Sequence, residues 1–178
     1  PDLVCILDTN TWLQLPGMEP LVADSGATVL VIDHHRTCDN MATVQFSDPL
    51  APATASIVYR VLVEAGAAID RETATYLFVG LALDTDWFRL ATTDAGSLRM
   101  AAALVEAGAR PHEVFDHLYM EEELGRMRLR GRAVEKLRPA LGGRVIVMRL
   151  TNNMFHEFGI DLGDTEYGTG NIDPKKNA

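Results

Sequence analysis

Three consecutive residues, Asp33, His34 and His35, place a carboxylate and two imidazoles directly after an apolar run. Imidazole is the commonest neutral metal ligand, and an adjacent carboxylate can fix its tautomer by accepting the other ring N–H. Asp8 closes an earlier apolar run, Leu3–Leu7, as Asp33 closes residues 28–32. With Thr9 and Asn10 behind it, Asp8 also suits a cap or a turn, so its pairing with Asp33 is what marks it. Asp84 stands where a third apolar segment gives way to Thr85 and Asp86. A carboxylate at a helix C-terminus opposes the macrodipole; a bound cation would offset that cost, and solvation is the plainer alternative. Carboxylates and a histidine at converging chain ends suit a Mn2+- or Mg2+-type site rather than a thiolate zinc site. The alternative for the triplet is a turn with two surface histidines.

Convergence of this kind needs a scaffold. Residues 3–7 and 28–32 are apolar runs without alternation, which fits strands buried on both faces of a parallel sheet. Between them Pro16 and Gly17 precede a helix over Met18–Ser25, and Gly26 stops it. The 25 residues from Asp8 to Asp33 suffice for one right-handed βαβ unit. Both Asp residues then stand at the carboxyl ends of neighbouring strands, where open α/β sheets bind ligands.

Downstream, residues 52–66 read as an amphipathic helix with Ala55, Val58, Tyr59, Leu62 and Val63 inward. Asp70 caps the next helix, which turns Thr73, Ala74, Leu77, Phe78 and Leu81 to its apolar side and runs into Leu83-Asp84-Thr85-Asp86. Asp94 caps a third, residues 95–107, and Pro111 opens a fourth. A longer helix over about 121–141 follows; Gly142 and Gly143 break it before a strand over 144–150. The expected fold is α/β, a Rossmann-like, mostly parallel sheet with helices, followed by a helical segment. Residues 1–150 are expected to form the core and 151–178 a linker or the start of a further domain. Residues 163–178 are polar and without period.

The composition of the 178 residues, 47% hydrophobic and 23% charged, is that of a globular protein, which sets aside disordered and collagen-like classes. No apolar stretch is long enough to span a bilayer and no basic-then-apolar leader is visible, so no membrane partner is expected. A formal charge of -9 argues against tight duplex binding. It leaves room for a small phosphate-bearing substrate held through metal ions, which bring their own positive charge. Cys5 and Cys38 make no disulfide framework and read as reduced thiols of a cytoplasmic protein. Nothing in its spacing demands Cys38 as a ligand.

Ile32-Asp33-His34-His35 resembles the signature of the DHH phosphoesterase superfamily. The stretch from Asp48 to Leu62 is similar to the helix these proteins place after that motif, and Gly80 to Phe88 to their later Asp motif. Residues 92–109 look like the family as well. The resemblance runs over about residues 3–150 and is closest to the branch of oligoribonucleases and 3′-phosphoadenosine-5′-phosphate phosphatases. It implies two divalent ions, Mn2+ ahead of Mg2+, that activate a water and neutralise phosphoryl oxygens during in-line displacement. By the same resemblance Asp8 matches the Asp that bridges the two ions, and His34 and Asp84 match further metal ligands. His35 matches a histidine that faces the substrate phosphate and assists proton transfer, with Asp33 orienting the site behind it; these two are the catalytic candidates. A short single-stranded oligonucleotide or small nucleotide is the implied substrate, and a homodimer is an open expectation. The family's first motif, a His followed by Pro-Asp-Gly-Asp, is not among these residues, nor is its C-terminal substrate-binding domain. The chain is therefore expected to be part of a longer protein. Leu83 and Asp86 also stand where the family usually has Thr and Gly.

Other features weigh less. Arg126, Arg128, Arg130, Arg132, Lys136 and Arg138 could steer an anionic oligonucleotide, but read more simply as a solvated helix face with Glu122 and Arg126 as an i, i+4 pair. Trp87 and Phe88 could stack on a base, with at least one expected in an apolar contact. His112, His117 and His156 lack partners at metal-ligand spacing and read as surface or cap residues. Gly142-Gly143 is a helix stop, because the strand–glycines–helix order of a nucleotide fingerprint is missing. The leading reading is a metal-dependent phosphoesterase for short oligonucleotides or 3′-phosphoadenosine-5′-phosphate. Its rivals are a cyclic-dinucleotide phosphodiesterase and a non-catalytic nucleotide-binding relative.

Overall fold

A computed structural model describes residues 1–120 and 123–160, in two compact units, Pro1–Val114 and Phe115–Ala178. In the first unit β1 (Leu3–Leu7), β2 (Thr28–Asp33) and β3 (Val44–Ser47) form a parallel sheet in that order. Leu7 is in register with Ile32, and the Asp8 N–H extends the ladder by donating to the Ile32 carbonyl at 3.0 Å. Asp8 and Asp33 thus lie level at the carboxyl edge, as their spacing predicts.

β2 is covered on both faces. Val29 and Val31 pack with Ile6, Met41 and Val22, the last from α1 (Met18–Ser25). Leu30 and Ile32 meet Ala51, Ile57 and Val58, the last two from α2 (Thr54–Glu64). β1 departs from the expectation of burial on both faces. Ile6 is buried, but Leu3 and Leu7 are half exposed and Cys5 is exposed. Among the described strands β1 pairs with β2 alone, and an unbroken apolar run does not distinguish a central strand from an outer one. β3 went unforeseen; its four residues are all exposed, too short a stretch for alternation to stand out.

α3 (Arg71–Asp84) and α4 (Ala95–Glu106) start at the caps expected of them. Asp70 accepts from the Thr73 N–H at 2.8 Å, and Asp94 and Ser97 cap each other's backbone reciprocally. Ala74, Leu77, Phe78 and Leu81 are buried as predicted. The inward stripe of α2 differs: Ser56 and Ile57 are buried, whereas Val63 is exposed. Its period was readable, but the direction of the sheet was not. Tyr59, expected in the core, is half-buried and lines an open cleft of about 460 Å³ with Arg60 and Arg99. Gly80 brings α3 hard against α2, since a Cβ there would lie 2.9 Å from the Ala55 Cβ. α5 (Pro111–Phe115) begins at the expected proline.

The second unit contains a π-helical turn (Asp116–Met120), α6 (Leu124–Glu135), an antiparallel pair β4 (Arg138–Ala140) and β5 (Val145–Val147), and α7 (Asn152–Glu157). The long helix expected over 121–141 ends at Glu135, because Pro139 disfavours helical backbone before it and residues 138–140 pair as a strand. Glu121 and Glu122, and with them the Glu122–Arg126 pair, lie outside the described residues. The predicted strand over 144–150 shortens to Val145–Val147. Residues 161–178, which hold the expected unpatterned tail, are also outside them. Leu129 and Ala133 pack on Met154, Phe155 and Ile160, and Arg132 bridges Glu135 and Glu157 at 3.0 and 2.9 Å. Arg128, Arg130, Lys136 and Arg138 are exposed. Among the described residues no helix is long and apolar enough to cross a membrane.

Candidate active site at the carboxyl edge of the sheet

Asp8 ends the ladder of β1 in the left-handed region, with φ 62°. Few side chains accept that conformation, and Asp is among the better ones. Its Oδ1 accepts a 2.7 Å hydrogen bond from Thr54 Oγ1, on the first residue of α2. Helix α2 thus holds the strand-end carboxylate in place.

Asp33 is fully buried at the end of β2. His35 Nδ1 lies 2.7 Å from its Oδ1, so the ring N–H donates to the carboxylate. That bond chiefly, with the charges of Asp33, Asp8 and Asp84 adding, holds the His35 imidazole above its ordinary pKa, against a smaller lowering by burial. His34 Nδ1 lies 3.2 Å from the Ala51 carbonyl, which can only accept, so Nδ1 carries the proton. Ala51 is itself anchored: its N–H donates to the Asp48 carbonyl at 2.9 Å, and the Asp48 N–H to the Asp33 carbonyl at 3.1 Å. Arg60, 2.7 Å from Asp48, holds that carboxyl below the usual carboxylate range.

Asp84 is the last residue of α3. Burial, and then the neighbouring charge of Asp8, raise its pKa; the two imidazoles act in the opposite sense. Beyond it the buried Thr85 hydroxyl donates to the Leu81 carbonyl at 2.7 Å and accepts from the Phe88 N–H at 3.1 Å. Asp86, Trp87 and Phe88 all have positive φ, and both aromatic rings sit 6.1 Å from Phe78. The carboxylate of Asp86 pairs with Arg89.

His34 Nε2 stands 3.6 Å from Asp8 Oδ1 and 3.5 Å from Asp84 Oδ2. With the proton committed at Nδ1, a neutral ring turns a lone pair toward two carboxylates. Such an arrangement calls for a positive species between them, either a second ring proton or a metal ion. One ligand atom each from Asp8, His34 and His35 also falls within 4.8 Å of the others. An imidazole and carboxylates without a thiolate fit a Mn2+- or Mg2+-type ion; both cysteines are exposed and neither belongs to the cluster. The structure therefore gathers Asp8, His34, His35 and Asp84 directly, and Asp33 through His35. Sequence reasoning missed Thr54 and the Ala51 carbonyl. Thr54 had a signal, a hydroxyl opening a helix two residues after Pro52, but its target could not be read. His112, His117 and His156 are exposed and stand in no such cluster.

Residues 1–81 match the model of the DHH family, N-terminal domain. The chain carries a DHH-family domain. Asp8, Asp33, His34 and His35 fall inside the matched span of this domain, and Asp84 three residues beyond it. Over 146 residues the chain is 30% identical to a Thermus thermophilus protein named bifunctional oligoribonuclease and PAP phosphatase NrnA, covering 81% of this chain and 45% of that one. It is 29% identical over 90 residues to an uncharacterized protein of Mycoplasma pneumoniae, covering 51% of this chain and 28% of that one. A solved structure, an exopolyphosphatase-related protein from Bacteroides fragilis, shares the fold with a TM-score of 0.86 at 23% identity, covering 93% of this chain and 49% of that one. The chain thus spans half the length of these relatives or less.

Proposed function

We propose that this DHH-family domain is the catalytic part of a divalent-metal-dependent phosphoesterase. The observation that carries the reading is His34 Nε2 facing Asp8 and Asp84 at 3.6 and 3.5 Å, beside a histidine anchored on a buried carboxylate. Asp8, His34 and Asp84 would hold the metal, Mn2+ ahead of Mg2+. The ions would supply charge neutralisation on the phosphoryl group and activation of water. His35, bound to Asp33 through Nδ1, keeps Nε2 for the substrate. Its raised pKa favours the protonated ring, which can donate to a phosphoryl oxygen or to a leaving oxygen. Asp33 fixes the ring's orientation and stabilises its positive charge. Thr54 limits the rotation of Asp8, so its other oxygen is free to meet a cation.

The name of the Thermus thermophilus relative supports short oligoribonucleotides or 3′-phosphoadenosine-5′-phosphate as substrates. The net charge of -9 supports a small substrate recognised through metal ions over a duplex held by basic residues. The test is a panel of a diribonucleotide, 3′-phosphoadenosine-5′-phosphate and a cyclic dinucleotide, incubated with Mn2+, Mg2+ or EDTA. We expect Mn2+-dependent hydrolysis of one of the first two, abolished by His34→Ala and by Asp84→Ala. Hydrolysis that persists in EDTA would sink the metal assignment. Binding without turnover, retained in both variants, would make the protein a nucleotide binder.

A further inference from the structure

Three buried polar atoms at the same sheet edge are not used by the site described above. The Asn10 side chain is 1% exposed, and neither its Nδ2 nor its Oδ1 has a hydrogen-bond partner. Asp33 is 0% exposed; its Oδ1 holds His35, and its Oδ2 has no partner. Leaving such a group unpaired in the interior costs about 1–3 kcal/mol, and more when it is charged. The orphans are complementary, since Nδ2 is a donor and Oδ2 an acceptor.

Their placement agrees. Asn10 lies two residues beyond Asp8, which is hydrogen-bonded to Ile32, the residue before Asp33. The Asn10 carbonyl accepts from the Asp39 N–H at 2.7 Å, and Asp39 Oδ2 accepts from the Trp12 N–H at 2.8 Å. The loop after β1 and the loop after His35 are therefore laced together at Asn10 and at Trp12. Asn10 is not a metal-ligand type that the sequence singled out, and its main-chain bonds do not explain a buried amide side chain.

We propose that Asn10 is a positioning residue whose amide N–H tethers Oδ2 of Asp33 through one buried water. A carboxylate held at both oxygens cannot rotate, so Oδ1 stays aimed at His35 Nδ1. The tether thereby sets the tautomer and ring orientation of the histidine that meets the substrate. The role deepens the phosphoesterase reading, and its test needs no activity.

The experiment is a double-mutant cycle on urea unfolding in EDTA, with Asn10→Leu, Asp33→Asn and the double variant. The expected result is a coupling of at least about threefold in the unfolding equilibrium constant; additive effects overturn the proposal. If Asn10→Leu does not fold, Asn10→Ala, which also lacks the donor, takes its place in both readouts. The second readout is the 15N shift of the His35 ring nitrogens at a pH where the ring is neutral. The wild-type protein should show the Nδ1–H tautomer and Asn10→Leu a mixture, with Asn10→Ser, which keeps a donor, restoring the single form. An unchanged tautomer in Asn10→Leu also overturns the proposal. Loss of hydrolysis is not a criterion, so failure of the phosphoesterase assignment stays distinguishable from failure of the tether.

Discussion

Gly80→Ala tests whether the packing of two helices sets the geometry of the cluster. A Cβ at residue 80 would sit 2.9 Å from the Ala55 Cβ. Carbon atoms in contact prefer about 3.5–4.0 Å, so α3 must retreat from α2 by roughly 1 Å. Overpacking of this kind costs about 1–3 kcal/mol. Alanine returns about 1 kcal/mol through its higher helix propensity. The net is a destabilisation of about 1 kcal/mol, or about 4 °C in Tm for a domain of this size. Gly80 is one turn before Asp84, while the first residue of α2, Thr54, holds Asp8. A retreat of α3 therefore widens the gap between Asp84 and the His34–Asp8 pair. Urea unfolding would measure the stability change, and isothermal titration with MnCl2 the ion affinity. We expect both to fall in Gly80→Ala, and the affinity to return in Gly80→Ala/Ala55→Gly, where the obstructing methyl is gone. A Gly80→Ala protein as stable as wild type, with unchanged Mn2+ affinity, would refute the reasoning.

Asp84 and the helix caps give two predictions of opposite sign in pH. The fold raises the pKa of Asp84, so the native state holds that proton more tightly than the unfolded chain does. Its contribution to stability is full in acid and is lost as pH rises from the unfolded value through the raised folded one. In EDTA, Asp84→Asn should match wild type in acid and exceed it in stability at neutral pH, as read by thermal unfolding; a variant weaker than wild type at neutral pH would contradict this. The Ser97 N–H lowers the pKa of Asp94, so the cap stabilises the fold above the unfolded value and ceases to as pH falls through the folded one. Asp94→Ala should lower Tm at neutral pH and leave it unchanged in strong acid, where a persistent difference would point to a role other than charge.

Much of the site was legible because its residues are local to strand and helix ends. An apolar run that stops at an Asp, repeated 25 residues later, is readable as two strand ends at one edge, and the register of Leu7 with Ile32 makes it so. The caps at Asp70 and Asp94 are equally local, being decided within three residues. The inward face of α2, the exposure of β1 and the early end of α6 were not legible. Each depends on what packs from elsewhere or on a competing pairing, as residues 138–140 pair with Val145–Val147 in place of extending a helix. Thr54 illustrates the limit. A hydroxyl at a helix start is an ordinary sight, and only the folded chain shows that it reaches Asp8, 46 residues away.

The order of chemical groups along the chain therefore determined which residues could act. Asp8, Asp33, His34, His35 and Asp84 all sit at ends of regular elements, where side chains leave the backbone ladder and backbone pairing stops. Tertiary structure decided how they are arranged. His34 has its proton at Nδ1 because the Ala51 carbonyl lies 3.2 Å away, and that choice turns Nε2 toward two carboxylates. His35 has its raised pKa chiefly because its ring N–H donates to the Asp33 carboxylate, 2.7 Å away. Tautomer and basicity depend on distances of a few tenths of an ångström between groups distant in sequence, and such distances exist only once the helices have closed on the sheet.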